Sequence, residues 1–370
     1  MPGGVETHVE QLYQRLAQLG CEIEVLVRSP YVPAKRDSFA GIRLRRLWSP
    51  RLVGAEVLVH SLIGVLYAAV TRPDILHIHA IGPAIFTPLA RLFGLRVVVT
   101  HHGRDYERDK WGRAARCILR IGEHLGMRYS HARISVSQSV ADVVQTRFAR
   151  ATHVIHNGAV ARDPVTATDV VRHFGLKPGR YFIEVGRMVP EKRQLDLLNA
   201  FASAQVTGWK VVLVGELGSD AYSRRVFAAA QAAGAVLTGL QTGDALAQLY
   251  SHAGAFVLPS SCEGFSIVLL EALNYGLPVL ASNIPANREV GLEEWRYFPV
   301  GDCTALARLL DRVSRSPPNP ESVSMSRQVR QRFDWNHIAA RTLNVYHELL
   351  PDSSREVKPA DVTFSGQPHR

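Results

Sequence analysis

Short runs of β-branched and other apolar residues alternate along the chain with longer stretches of helical periodicity. The short runs predict strands over 22–28, 42–47, 75–79, 96–100, 132–137 and 153–156. A second series follows over 181–185, 210–214, 235–238, 255–258, 278–281 and 297–299. Between them, 7–19, 114–129, 194–204, 222–233, 245–252 and 268–275 read as helices with one apolar face. Such alternation predicts parallel sheets covered by helices. Val97-Val98-Val99 and Val211-Val212-Leu213-Val214 are continuously apolar, as strands buried on both faces are.

The series breaks over 159–177, a polar stretch that carries Pro164 and resumes through Lys177-Pro178-Gly179-Arg180. This predicts a linker, with one domain over 1–160 and a second over 161–350. A length of 370 residues agrees with two domains at roughly 150 residues each. Phe333-Asp334-Trp335 opens a last helix that runs to Leu350, and the polar, proline-containing residues 351–370 read as a disordered tail.

Composition narrows the class. With 46% hydrophobic and 21% charged residues the chain is globular. The net charge of +10 suits an anionic ligand or an anionic membrane surface and does not by itself indicate nucleic acid. Cys21, Cys117, Cys262 and Cys303 form no C-x-x-C pair, so neither a zinc cage nor a disulfide framework is expected. Reduced thiols in a cytoplasmic protein are the plain reading. Met1-Pro2-Gly3-Gly4 leads into a charged, amphipathic stretch, so no secretory leader is expected. The apolar stretch 52–70 is interrupted by Glu56 and His60 and loosened by Gly54 and Gly64. It falls short of the ~20 apolar residues of a spanning helix and reads as a buried or surface-lying one.

Two motifs carry chemistry. Glu263-Gly264-Phe265-Ser266 follows a strand and enters the helix that contains Glu271. A helix start offers unpaired N–H groups and positive dipole to a diphosphate, while carboxylates accept hydrogen bonds from sugar hydroxyls. Gly264 marks a tight turn. Gly186-Arg187-Met188-Val189-Pro190-Glu191-Lys192 comes off the first strand of the second domain. Its glycine permits close approach of a ligand, and Arg187 and Lys192 are placed to neutralise a diphosphate.

Together these motifs resemble the donor site of a GT-B glycosyltransferase, specifically glycosyltransferase family 4, the bacterial polysaccharide type of group 1. The resemblance extends from Gly3 to about Tyr346. It implies two Rossmann-like, doubly wound domains facing across a cleft, the first binding acceptor and the second a nucleotide sugar. Arg187 and Lys192, by resemblance, hold the diphosphate beside Gly186. Glu271 holds the ribose hydroxyls, and Glu263 lies near the donor sugar with Gly264, Phe265 and Ser266. Gly3 and Gly4 match the family's glycine loop, and Thr100-His101-His102-Gly103 places His102 near the transferred sugar. Val136-Ser137 and Asn157-Gly158 match a strand-end serine and a turn into the linker. Residues 105–112 resemble an acceptor loop. The family pattern has a central strand ahead of the glycine loop, and its loss would leave neighbouring strands unpaired.

The resemblance also implies transfer with retention to a lipid-linked or saccharide acceptor, without cofactor or metal. His77-x-His79 puts two imidazoles on one strand face, but no third ligand is near in sequence, and no Asp-x-Asp occurs. Arg113, Arg116 and Arg120 recur at helical spacing, and Arg43, Arg45, Arg46 and Arg51 form a second cluster beside Trp48, Leu52 and Val53. Both are solvated faces by default. Their sharper reading is docking to anionic lipid. A nucleotide-sugar epimerase of the same fold and a non-catalytic sugar-binding protein are the alternatives.

Overall fold

The computed structural model describes residues 3–31, 37–52, 54–108, 111–160, 162–204, 206–315 and 321–350. The tail expected over 351–370 lies outside the described residues. The first unit opens with helix α1 (Gly4–Gln18), which buries Leu12, Tyr13 and Leu16 at helical spacing. Strands β1 (Glu24–Arg28), β2 (Ser38–Phe39) and β3 (Ile42–Leu47) form one sheet in the order β1-β3-β2. Then come α2 (Ala55–Thr71), β4 (Leu76–His79), α3 (Thr87–Leu92), β5 (Val97–His101), α4 (Arg113–Tyr129), β6 (Ala132–Ser135), α5 (Gln138–Phe148) and β7 (His153–Val154). Strands β4 to β7 make a parallel sheet in chain order, and every residue of β5 is buried. Among the described residues no strand joins β1 to β4, so this unit carries two sheets where the resemblance has one.

The second unit comprises α6 (Asp169–His173), β8 (Tyr181–Val185), α7 (Gln194–Ser203), β9 (Lys210–Val214), α8 (Ala221–Ala232), β10 (Val236–Gly239), α9 (Gly243–Ser251) and β11 (Ala255–Leu258). It continues through α10 (Ile267–Asn274), β12 (Val279–Ser282), α11 (Pro285–Arg288), β13 (Tyr297–Phe298), α12 (Cys303–Arg315) and α13 (Glu321–Arg332). Its strands form one parallel sheet in the order β10-β9-β8-β11-β12-β13, which reverses direction of growth between β8 and β11. Tyr181, Ile183 and Val185 pack on one face with Leu269 and Leu273 of α10. Phe182 packs on the other with Leu197 of α7 and Leu310 of α12. The continuous apolar runs thus arise because both faces are covered.

The last helix, α14 (Trp335–His347), crosses back to the first unit. Trp335, Ile338 and Tyr346 share a core with Leu12, Tyr13 and Ile134. Packing therefore does not follow the expected boundary of 161–350, because the apolar face of α14 is buried against α1. Gly158 sits on the Trp335 ring, where a Cβ would come within 2.7 Å of the indole.

Candidate functional site

Loops after β5, β8 and β11 meet the start of α1 around one cleft of about 600 Å³. It is lined by Gly3, Gly4, His102, Gly186, Arg187, Lys192, Glu263, Gly264, Phe265, Ser266 and Glu271, every site residue singled out in the sequence. They come from separate segments because loops following parallel strands gather at one edge, at the point where strand order reverses.

Lys192 Nζ donates to Glu263 Oε1 at 2.7 Å, with both side chains mostly buried. Arg187 is exposed, and its guanidinium has no ion pair among the described residues. Near them lies Glu184 of β8, fully buried. Burial pushes its carboxyl up to about 8, against the opposing pull of Lys192. Gln194 donates to its Oε1 at 3.2 Å, while Oε2 has no partner among the described residues. A Cβ at Gly186 would lie 3.0 Å from that Oε1 and 3.6 Å from Lys192 Cε. This glycine therefore makes room for the side chains of Glu184 and Lys192.

Helix α10 starts without a side-chain cap, and the buried Ser266 Oγ has no hydrogen-bond partner among the described residues. Since Ser266, Ile267 and Val268 line the cleft, the helix's unpaired N–H groups open on it. One turn along, Glu271 accepts from Tyr250 Oη at 3.2 Å, and burial raises its carboxyl to about 7. Gly264 has a reason other than the tight turn expected. A Cβ there would fall 1.9 Å from the His102 carbonyl oxygen, so the two units touch backbone to backbone. Gly103 opposite has φ +124°, which also favours glycine.

His102 belongs to a histidine cluster. Its Nε2 lies 3.0 Å from His79 Nδ1, and the His8 ring centroid is 4.7 Å from the His102 ring. His77 stacks on His79 at 4.2 Å. Burial lowers His8 to about 4 and His77 to about 3, and holds His79 and His102 well below the ordinary imidazole range. All four are neutral near pH 7. Asn157 joins this cluster to the second unit: Oδ1 accepts from His8 Nδ1 at 2.8 Å and Nδ2 donates to the Phe265 carbonyl at 2.8 Å. His8, Asn157 and Glu184 were not singled out as site residues. The signals near them were the pair of histidines at the end of β4 and the Asn157-Gly158 turn, and no pattern pointed to Glu184.

Two family profiles match the chain, "Glycosyltransferase Family 4" over 2–161 and "Glycosyl transferases group 1" over 172–332. The chain is a glycosyltransferase of this family. O-antigen chain mannosyltransferase B of Escherichia coli is 25% identical over 196 residues, and the match spans about half of that relative, 51% of each chain. A glycogen synthase of Mycobacterium tuberculosis is 28% identical over 93% of this chain and 91% of its own. Anabaena HepE, solved with UDP-glucose, superposes with a TM-score of 0.74 at 18% identity, over 93% of this chain and 97% of that one. That likeness establishes the GT-B arrangement of two Rossmann-like units.

In this glycosyltransferase the 105–112 loop reaches the second unit. Arg108 pairs with Asp105 at 2.9 Å and lies 4.0 Å from Glu191, while Asp109 and Lys110 lie outside the described residues. The expected cationic cluster on β3 is largely neutralised. Arg43, Arg45 and Arg46 pair with Glu22, Glu24 and Asp37 at 2.9, 3.3 and 3.4 Å. Arg120 of α4 stands over the Tyr106 ring and lines a second cavity of about 530 Å³ with Arg104 and Arg147. Trp48 and Leu52 are exposed, and Val53 lies outside the described residues. Among the described residues no helix is long and apolar enough to cross a membrane.

Proposed function

We propose that this glycosyltransferase moves a sugar from a nucleoside-diphosphate donor, with retention and without a metal ion, to a lipid-linked or saccharide acceptor in cell-surface polysaccharide or glycolipid synthesis. The observation that carries this reading is the convergence of paired cations, an uncapped helix start and two carboxylates on one cleft. UDP-glucose in HepE and the products named for the relatives support the donor and pathway classes.

In this reading the donor lies on the second unit. Arg187, Lys192 and the N–H groups of α10 stabilise charge that grows on the diphosphate as its bond to the sugar C1 breaks. Lys192, held by Glu263 in the free enzyme, passes to the diphosphate and frees Glu263 for the sugar. Glu271 accepts the ribose hydroxyls. His102, uncharged, meets a sugar hydroxyl from the opposite side. The acceptor hydroxyl attacks C1 on the face the phosphate leaves, and its proton goes to the departing phosphate oxygen. Contact between the units at Gly103 and Gly264 excludes water from the donor. A lipid-linked acceptor places the reaction at the cytoplasmic membrane surface, approached through Arg113, Arg116, Trp48 and Leu52.

The test is nucleoside-diphosphate release from candidate nucleotide sugars, with and without acceptor. Arg187→Ala and Lys192→Ala are each expected to lower kcat/KM by about 10²–10³, the loss typical of one such electrostatic donor. Near-normal rates in both variants with a competent donor would remove the assigned site. A new epimer without acceptor-dependent release would instead indicate the epimerase, and binding without any turnover a sugar-binding protein.

A further inference from the structure

We propose that His8, His79 and His102 bind one divalent transition-metal ion of the zinc class at the floor of the cleft, and that filling this site withdraws His102 from sugar transfer. The second clause rests on the function proposed above, whereas the first does not. No known requirement of the reaction calls for this metal.

One ligand atom from each of the three histidines lies within 4.8 Å of the other two. The outer nitrogens of His8 and His79 are already engaged. Asn157 spends its amide N–H on the Phe265 carbonyl, so its oxygen must face His8 and accept from His8 Nδ1–H. That fixes the tautomer and leaves His8 Nε2 as a bare lone pair. The residue is 2% exposed, and this nitrogen has no hydrogen-bond partner among the described residues. Tyr13 Oη lies 2.6 Å from His79 Nε2, which turns His79 Nδ1 inward towards His102 Nε2 at 3.0 Å. An oxygen partner on the far nitrogen is the usual way a metal-binding imidazole is oriented.

The spacing is close to that of such a site for one pair, while the three ligand atoms together lie within 4.8 Å of one another. Zinc–nitrogen bonds of 2.0–2.1 Å in tetrahedral geometry put ligand nitrogens about 3.3 Å apart. The His79–His102 pair needs to open by only a few tenths of an ångström from its 3.0 Å. Three imidazoles favour zinc, copper or nickel over magnesium or calcium. His77 is not a ligand, because both its nitrogens are taken, by Tyr346 Oη at 2.6 Å and Thr100 Oγ1 at 2.7 Å. Of the three, His102 lines the cleft, and His8 and His79 stand behind it.

Calorimetric titration of the full chain with ZnCl2 tests the site directly. One equivalent is expected to bind. His79→Ala and His8→Gln should each weaken binding at least tenfold, and His124→Ala, exposed on α4, should not. Thermal unfolding shows whether each variant folds. Wild-type protein loaded with Co²⁺ supplies a readout that needs no variant, since visible bands of nitrogen-ligated cobalt report the ligand set. Failure to bind one equivalent, or equal affinity in folded His79→Ala and His8→Gln, would overturn the site. In a parallel assay stoichiometric Zn²⁺ should suppress nucleoside-diphosphate release and EDTA should restore it. Zinc bound without inhibition overturns the withdrawal of His102. Zinc binding with no transfer under any donor leaves the metal site standing and removes the transferase reading of the cleft.

Discussion

Replacing Glu184 by Gln removes a buried ionisable group from beneath the cations of the cleft while keeping its shape. Burial holds the Glu184 carboxyl at about 8, against an ordinary 4.5. A carboxyl raised in the folded state contributes fully below pH 4.5 and loses that contribution as pH climbs through about 8. With 1.36 kcal/mol per unit, linkage gives a loss of about 2–3 kcal/mol between pH 6 and pH 9. For a unit of this size that is roughly 5–10 °C in Tm. Wild-type Tm should therefore fall by about that much more than Glu184→Gln between pH 6 and pH 9, followed by near-ultraviolet circular dichroism. The same ionisation adds a negative charge that competes with diphosphate for Lys192. Donor KM should rise above pH 8 in the wild type and stay flat in the variant. Tm curves that run parallel across this range would refute the buried, protonated state of Glu184 and the coupling drawn from it.

Glu271→Ala should raise donor KM more than it lowers kcat, because ribose hydroxyls do not change on the way to the transition state. Glu263→Ala should do the reverse, and steady-state kinetics showing equal effects on both parameters would contradict the division of labour. Vesicles containing anionic lipid should sediment the protein at low salt and release it at high salt. Arg113→Glu with Arg116→Glu should weaken that recovery, and equal recovery on neutral vesicles would return α4 to an ordinary solvated face.

Much of the architecture was readable in order along the chain. The predicted strands 42–47, 181–185, 210–214 and 255–258 coincide with β3, β8, β9 and β11; the last three are mostly apolar runs between turn residues with few other places to go, whereas β3 alternates Ile42 and Leu44 with arginines. The cleft residues were legible for a similar reason. A glycine, a cation or a carboxylate just past a parallel strand lands at the ligand-binding edge of the sheet whichever helix follows.

Other features depended on contacts between residues far apart in the chain. Pattern alone showed that α14 has an apolar face, but not that Trp335 and Tyr346 would bury it against α1. The arginines of β3 read as a cationic patch until strand pairing set Glu22 and Glu24 beside Arg43 and Arg45. Glu184 looked like a polar residue in a strand, and only burial on the Phe182 face gave it a carboxyl that holds its proton near neutrality. His77-x-His79 lacked a partner in sequence. Helix α1 and the loop after β5 then brought His8 and His102 to it, through a bond from Asn157 that closes 149 residues of chain. Composition and periodicity determined which elements form and which ends of them carry chemistry, since those are local consequences of burial and backbone geometry. Tertiary structure decided which charges are neutralised, which protons are kept and which nitrogens are left without a partner, since those depend on distances that no spacing along the chain sets.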